Sequence, residues 1–245
     1  MKPELRVGTS GWAYPPWRGR FYPEALPDDA MLAYYAERFP AVEVNNTFYR
    51  MPKVEVVRGW ATATPETFQF VVKASQRLTH IQRLKPEDDG ALDFLLRSLA
   101  PLAGRVTLYI QTPANLKADG PRVEAFLERV RAGWAAVGNG ALPISFEARH
   151  ASWVEDSKAR EVLRARSVPL VISDEAADLP AALAGEDGVH LRLRRGLYSD
   201  EALASVVERL RGHPAQAVYV FFRHDDEATG PALAQRLSAL WSGLA

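Results

Sequence analysis

The chain has 245 residues, enough for one large domain or two small ones with a substantial buried core. Thirty Lys and Arg balance thirty Asp and Glu, which excludes a protein that coats nucleic acid or membrane by bulk charge but leaves local patches open. Cysteine is absent, so disulfides, thiolate metal sites and cysteine nucleophiles are excluded, and a reducing compartment fits.

The segment MKPELRVGTSGW passes almost at once into a strand-like run and has no apolar signal core. No stretch approaches the roughly 18 continuous apolar residues of a membrane helix, so a cytoplasmic protein without a membrane partner is expected. In chain order the strand-type runs are LRVGTS, AVEVNN, FQFVVKAS, RVTLYIQT, LPISFEAR, PLVISD, GVHLRLRR and QAVYVFFRH. Helical patterns lie between most of them: MLAYYAERF, VEVVRGWATA, DFLLRSLAPL, VEAFLERVRAGW, AREVLRARS, ALASVVERLRG and ALAQRLSALW. The link EAADLPAALAGEDG after the sixth strand is weak and is expected to carry at most a short helix. Alternation of this kind implies parallel strands covered by helices. Eight units in a chain of this length are the dimensions of a closed (β/α)8 barrel of the TIM type. An open doubly wound sheet is the competitor, but no Gly-x-Gly-x-x-Gly turn follows any strand. No Ser- or Gly-rich linker divides the chain, so one domain over 1–245 is expected.

Within the strands one parity is apolar: Val42/Val44, Phe70/Val72, Leu108/Ile110, Ile144/Phe146, Leu191/Leu193 and Val220/Phe222. The other parity carries Glu43/Asn45, Lys73/Ser75, Gln111, Glu147/Arg149, Arg192/Arg194 and Arg223. In a barrel the apolar parity packs on the helices and the polar parity points inward, near the C-terminal strand ends where such folds place their sites. Lys73, Arg149, Arg192, Arg194 and Arg223 then oppose Glu43, Glu147 and, with ambiguous parity, Asp174. A neutral protein gathers cations in one place, and arginine forks match phosphate or carboxylate oxygens two at a time. The bland alternative is a layer of ion pairs filling the interior, in which each carboxylate neutralises an arginine.

Aromatic residues crowd the expected loops on the same face: Trp12, Tyr14, Trp17, Phe48, Tyr49 and Trp153. Stacking on a base or sugar is one use for them; packing the loops is the other, and it is favoured for Tyr14 and Trp17 beside their prolines. Glu43 and Glu147, from strands two and five, suit an inverting acid/base pair better than a retaining one. His80, His150 and His224 lie near strand ends, but no tight metal-ligand spacing appears, and no metal or cofactor is expected. His190 reads as a satisfied core residue and His213 as part of a helix-to-strand turn.

GTSGWAYPPWRGRFYP, VEVNNTFYRMP, FVVKAS followed by LTH, FEARHASW and the strand-eight segment together resemble the DUF72 family, also called YecE-like. The resemblance runs from Val7 to the last helix and implies a TIM-type barrel with the family's residues at the strand ends. It supplies no activity. The family pattern falls on Gly8, Ser10, Gly11, Trp12, Glu43, Asn45, Thr47, Phe48, Tyr49, Lys73, Thr79, His80, Gln111, Pro113, Glu147, Trp153 and Asp174. It departs at Phe146 to His150, at Arg192 to Gly196 and at Phe222-Arg223-His224, the last two making this sequence more basic than the pattern.

The expectation is therefore an enzyme, such as a hydrolase, for an anionic substrate that is phosphorylated, a nucleotide or a nucleic acid. Glu43, Glu147 and Lys73 are its catalytic candidates. Trp12, Asn45, Tyr49, His80, Gln111, Arg149, Trp153, Asp174, Arg192, Arg194 and Arg223 are candidates to bind substrate. A glycoside-processing enzyme using the two glutamates, and a non-catalytic module for RNA or protein, are the alternatives. Fold alone does not choose among them.

Overall fold

A computed structural model describes residues 2–86, 90–155, 157–175 and 188–243. Eight strands appear among them in the expected order: β1 (Glu4–Thr9), β2 (Ala41–Val44), β3 (Gln69–Lys73), β4 (Val106–Gln111), β5 (Ile144–Glu147), β6 (Val171–Ser173), β7 (Val189–Leu193) and β8 (Ala217–Phe222). The helices are α1 (Met31–Ala36), α2 (Val54–Ala63), α3 (Ala91–Leu99), α4 (Gly120–Val137), α5 (Ser152–Glu155), α6 (Ser157–Arg164), α7 (Asp200–Arg211) and α8 (Thr229–Ser242). The link expected to be weak, 175–188, falls almost wholly outside the described residues.

The architecture is α/β of the TIM type, with parallel pairing, and the ladders run in two sheets of four, β1-β8-β7-β6 and β2-β3-β4-β5. Isolated parallel bridges add Ser10↔Glu43 and Phe146↔Leu170. One continuous eight-strand ladder, expected from the alternation, is not traced among the described residues. Part of the reason is local: β6 has three residues, and Leu170, just before it, makes a single bridge. The chain packs as two compact units, Met1–Glu43 with Val171–Ala245, and Val44–Leu170.

The helices follow from their side chains. In α4, Val123, Phe126, Leu127, Val130 and Trp134 are buried at helical spacing, and the Asp119 carboxylate accepts from the Arg122 N–H at the start. In α7, Ser199 caps the Ala202 N–H, with Asp200 and Glu201 in the first turn and Arg209 and Arg211 in the last, as the helix dipole favours. Gly8 in β1 permits a close approach: a Cβ there would lie 2.0 Å from the Ala41 carbonyl oxygen, so no larger residue fits without moving backbone.

The strands are buried beyond the expected alternation. β2, β4, β5 and β7 are buried at every position, so their polar side chains are out of water as well as their apolar ones. A buried polar group must find partners or cost several kcal/mol. Where those partners lie defines the candidate site.

Candidate functional site

In the unit formed by Met1–Glu43 and Val171–Ala245, Glu43 is fully enclosed and both its oxygens are taken. Ser10 Oγ donates to Oε1 at 2.8 Å, while Arg192 places Nε 2.9 Å from Oε2 and Nη2 3.2 Å from Oε1. His190 Nε2 lies 3.1 Å from Oε2. Burial pushes this carboxyl up, but Arg192, His190 and Arg194 together hold it well below the usual carboxylate range. Arg194 Nη1 donates to Ser10 Oγ at 2.9 Å, extending the network outward.

Beside it, Asp174 is buried and accepts from the Arg194 N–H at 2.8 Å and from the Tyr198 hydroxyl, with Arg195 Nε at 3.6 Å. Burial and that hydrogen bond push the Tyr198 phenol far up. The Tyr14 hydroxyl, donating to the Ser10 carbonyl at 2.7 Å, is pushed up to about 12 by burial and by Glu43, against the pull of Arg194. Its ring stacks on His224 at 4.6 Å, and burial, Arg194 and Arg223 hold His224 below its ordinary value. Arg223 is exposed and donates Nη1 to the Arg194 carbonyl at 3.3 Å. Trp12 is partly exposed, its carbonyl accepting from the Tyr22 hydroxyl.

The second cluster lies in Val44–Leu170 and follows from strand register. Lys73 pairs with Tyr109 across β3 and β4, and Gln111 pairs with Glu147 across β4 and β5. Four polar side chains of one parity thus form a row. Lys73 Nζ donates to Gln111 Oε1 at 2.7 Å, and Gln111 Nε2 donates to Glu147 Oε1 at 2.9 Å and to the Tyr109 hydroxyl oxygen at 3.0 Å. Tyr109 in turn donates to Glu147 Oε2. Arg149, 53% exposed at its side chain, holds Nε 3.7 Å from Glu147 Oε1. The Lys73 ammonium lies 4.4 Å over the Phe48 ring and 5.7 Å from the Tyr109 ring centre, close enough for cation–π attraction.

A π-helical turn, Arg77–Ile81, follows β3 and carries His80. Its Nδ1 lies 2.8 Å from Thr79 Oγ1, and its ring meets the Phe48 ring edge to face at 4.8 Å. Burial, Lys73, Arg149 and Arg83 all hold His80 below its ordinary value. Asn45, partly buried, gives its carbonyl to the Phe48 N–H, and Tyr49 is 76% exposed against Phe48.

Several candidates have their polar atoms engaged by neighbouring groups of the protein. Trp153, expected to bind substrate, is buried against Phe146 and donates its indole N–H to the Leu116 carbonyl, so it packs the loop. Arg192 is buried with its fork on Glu43. Asp174 is occupied by Tyr198 and two arginines. Tyr14 and Trp17 pack the loops as expected, with Trp17 Nε1 donating to the Asp225 carbonyl. His190 is a satisfied core residue, and His213 sits between α7 and β8. Tyr109 and Arg83 were missed. Tyr109 shares the parity of Gln111 two residues on, so the alternation contained it, whereas nothing about Arg83 in a loop marked it. Among the described residues no three His, Asp or Glu side chains come together as a metal site.

A family profile described as "Protein of unknown function DUF72" matches residues 6–244. The chain belongs to the DUF72 family. Among its DUF72 relatives, the Escherichia coli K12 protein UPF0759 YecE is 34% identical over 119 residues, 48% of this chain and 40% of YecE. The Bacillus subtilis protein UPF0759 YunF is 29% identical over 155 residues, 61% of this chain and 52% of YunF. The matched regions thus span about half or less of those relatives. The crystal structure of a DUF72 protein from Thermotoga maritima superposes with a TM-score of 0.77 at 24% identity, covering 98% of this chain and 99% of that one. A DUF72 structure from Enterococcus faecalis gives 0.73 at 20% identity over 98% of each chain. At these identities the likeness carries the fold. No helix among the described residues is long and apolar enough to cross a membrane.

Proposed function

We propose that the chain is an enzyme acting on an anionic, phosphorylated substrate at the ends of β3, β4 and β5. The observation that carries this is the charge around His80: Lys73, Arg149 and Arg83 all act on its imidazole, Arg149 lies 3.7 Å from Glu147 Oε1, and Arg83 is held in place by two hydrogen bonds to Asn115. Three cations acting on one imidazole make a local positive potential that an anion would satisfy. Arg149 presents its guanidinium at the surface, and the ammonium of Lys73 is fixed by Gln111. Glu147, buried but not sealed, is the proton-transfer carboxylate of this reading. Glu43 serves instead to position Arg192 and Ser10, because an enclosed carboxylate held well below its usual range is a poor proton carrier near neutrality. That enclosure also weighs against a glycosidase pair built from Glu43 and Glu147, and the bound Lys73–Gln111–Glu147 row favours an enzyme over a flat RNA- or protein-binding surface.

Inorganic phosphate is the probe. It should protect the protein from thermal unfolding by about 2.7 kcal/mol at a hundredfold excess over its dissociation constant. Lys73→Met or Arg149→Ala should remove most of that protection. Arg223→Ala, at the end of β8, is the control that should leave it intact. Protection that survives both of the first two variants, or that disappears with Arg223, would place the anion elsewhere. No protection of the wild type would end the anion reading.

A further inference from the structure

Thr79 is fully buried, and its hydroxyl has two oxygen- or nitrogen-bearing neighbours: the Ser75 carbonyl at 3.1 Å and His80 Nδ1 at 2.8 Å. A hydroxyl carries one proton. If His80 is protonated at Nδ1, both contacts are hydrogen bonds, with Nδ1–H donating to Oγ1 and Oγ1–H donating to the carbonyl. If His80 is protonated at Nε2 instead, Thr79 gives its proton to Nδ1, and two oxygens are left 3.1 Å apart with none between them. The first arrangement turns both contacts of the Thr79 hydroxyl into hydrogen bonds. It leaves Nε2 as a bare lone pair, and Nε2 has no hydrogen-bond partner among the described residues.

We infer that His80 is the general base of the site, locked by Thr79 in the Nδ1–H form so that Nε2 takes a proton from a hydroxyl or water beside the bound anion. This rests on the anion reading above. In the step itself the O–H bond breaks, an N–H bond forms on Nε2, and the electron pair stays on the oxygen, which becomes the nucleophile. The imidazolium so produced is disfavoured by Lys73 from β3, Arg149 after β5 and Arg83 after the π-helical turn; Glu147 offsets Arg149 only in part. A substrate anion neutralises those cations. His80 is therefore a stronger base when the site is filled than when it is empty. The π-helical turn fits such a role, since this rare geometry places a side chain where a regular helix would not.

The experiment is imidazole nitrogen NMR on the 15N-labelled full chain, with His80→Gln assigning the signal. Above pH 8 the free protein should show the nitrogen shifts of an Nδ1–H imidazole at His80. Thr79→Val should turn that pattern toward a mixture of forms. Saturating inorganic phosphate should raise the apparent pKa of His80 by about one unit and leave His213 unmoved. An Nε2–H pattern in the free protein overturns the inference by itself. So does a His80 titration that stays put while thermal shift shows phosphate bound through Lys73 and Arg149. Phosphate that fails to bind at all instead overturns the anion reading beneath it, and the base role with it, while the tautomer remains readable from the free spectrum.

Discussion

The two polar clusters use the same residue types to opposite ends. Around Glu43 the charges close on themselves: a carboxylate with no exposure receives Ser10, His190 and both prongs of Arg192. Around Glu147 the partners are a phenol, an amide and an arginine that is half in water, while Lys73, Arg149 and Arg83 crowd one imidazole. A closed network spends its hydrogen bonds on holding strands in place. An open one keeps a guanidinium, that of Arg149, at the surface. Counting charges does not separate the two, because arginine and glutamate occur in both. What separates them is whether each charge is desolvated and matched.

The sharpest way to break this comparison is to neutralise each glutamate in turn. Glu43→Gln leaves Arg192 buried without its counter-charge, and removing one partner of such a pair typically costs about 3–5 kcal/mol. Urea unfolding should show that loss, with phosphate protection unchanged. Glu147→Gln keeps hydrogen bonds available to Tyr109 and Gln111, and the arginine that loses its counter-charge is half in water, so about 1–2 kcal/mol is expected. Equal losses in the two variants would mean that both clusters are structural.

The pH dependence of stability divides along the same line. Glu43 is held well below its ordinary 4.5, so its contribution is complete above that value and is lost as pH falls toward its folded pKa. His80 and His224 are both held below 6.5, so the folded state resists their protonation and stability also falls as pH drops below 6.5. Melting temperature followed from pH 8 downward should therefore decline in two stages. Glu43→Gln should flatten the more acidic stage only, and His80→Gln should reduce the earlier one only. A Glu43→Gln protein with an unchanged acidic stage would contradict the pairing described here.

Much of this is legible in the sequence. Strand and helix alternation gave the TIM-type α/β fold, and the polar parity contained Glu43, Lys73, Gln111, Glu147 and Arg192. What the pattern could not carry was depth. Period-two alternation tells which face a side chain takes, not whether that face is wet, and in β2, β4, β5 and β7 it is not. Arg192 and Arg194 have the same parity in GVHLRLRR, yet two residues of strand separate a guanidinium sealed on Glu43 from one that donates to Ser10. Trp153 follows β5, and its burial against Phe146 with the indole N–H on the Leu116 carbonyl is a depth that its place in the sequence does not give. Arg83 sits in a loop whose left-handed backbone, φ 54 at Arg83 and 62 at Leu84, no periodicity reveals.

The smallest stability effect is expected at Arg149, and it tests the comparison from the other side. Its guanidinium is half in water, and its pairing with Glu147 at 3.7 Å is long for a hydrogen bond. Exposed pairs of that kind contribute about 0–1 kcal/mol, so Arg149→Ala should unfold within roughly 0.5 kcal/mol of the wild type. If the residue is kept for a ligand, its loss appears only when the ligand is present: phosphate protection falls while the ligand-free melting curve hardly moves. Arg149→Lys should restore part of it, because the charge returns without the two-pronged geometry. If Arg149→Ala instead destabilises the empty protein by as much as Glu43→Gln, Arg149 is part of the packing. The open cluster would then be a second closed one, and the distinction between the two glutamates would fail where it is easiest to measure.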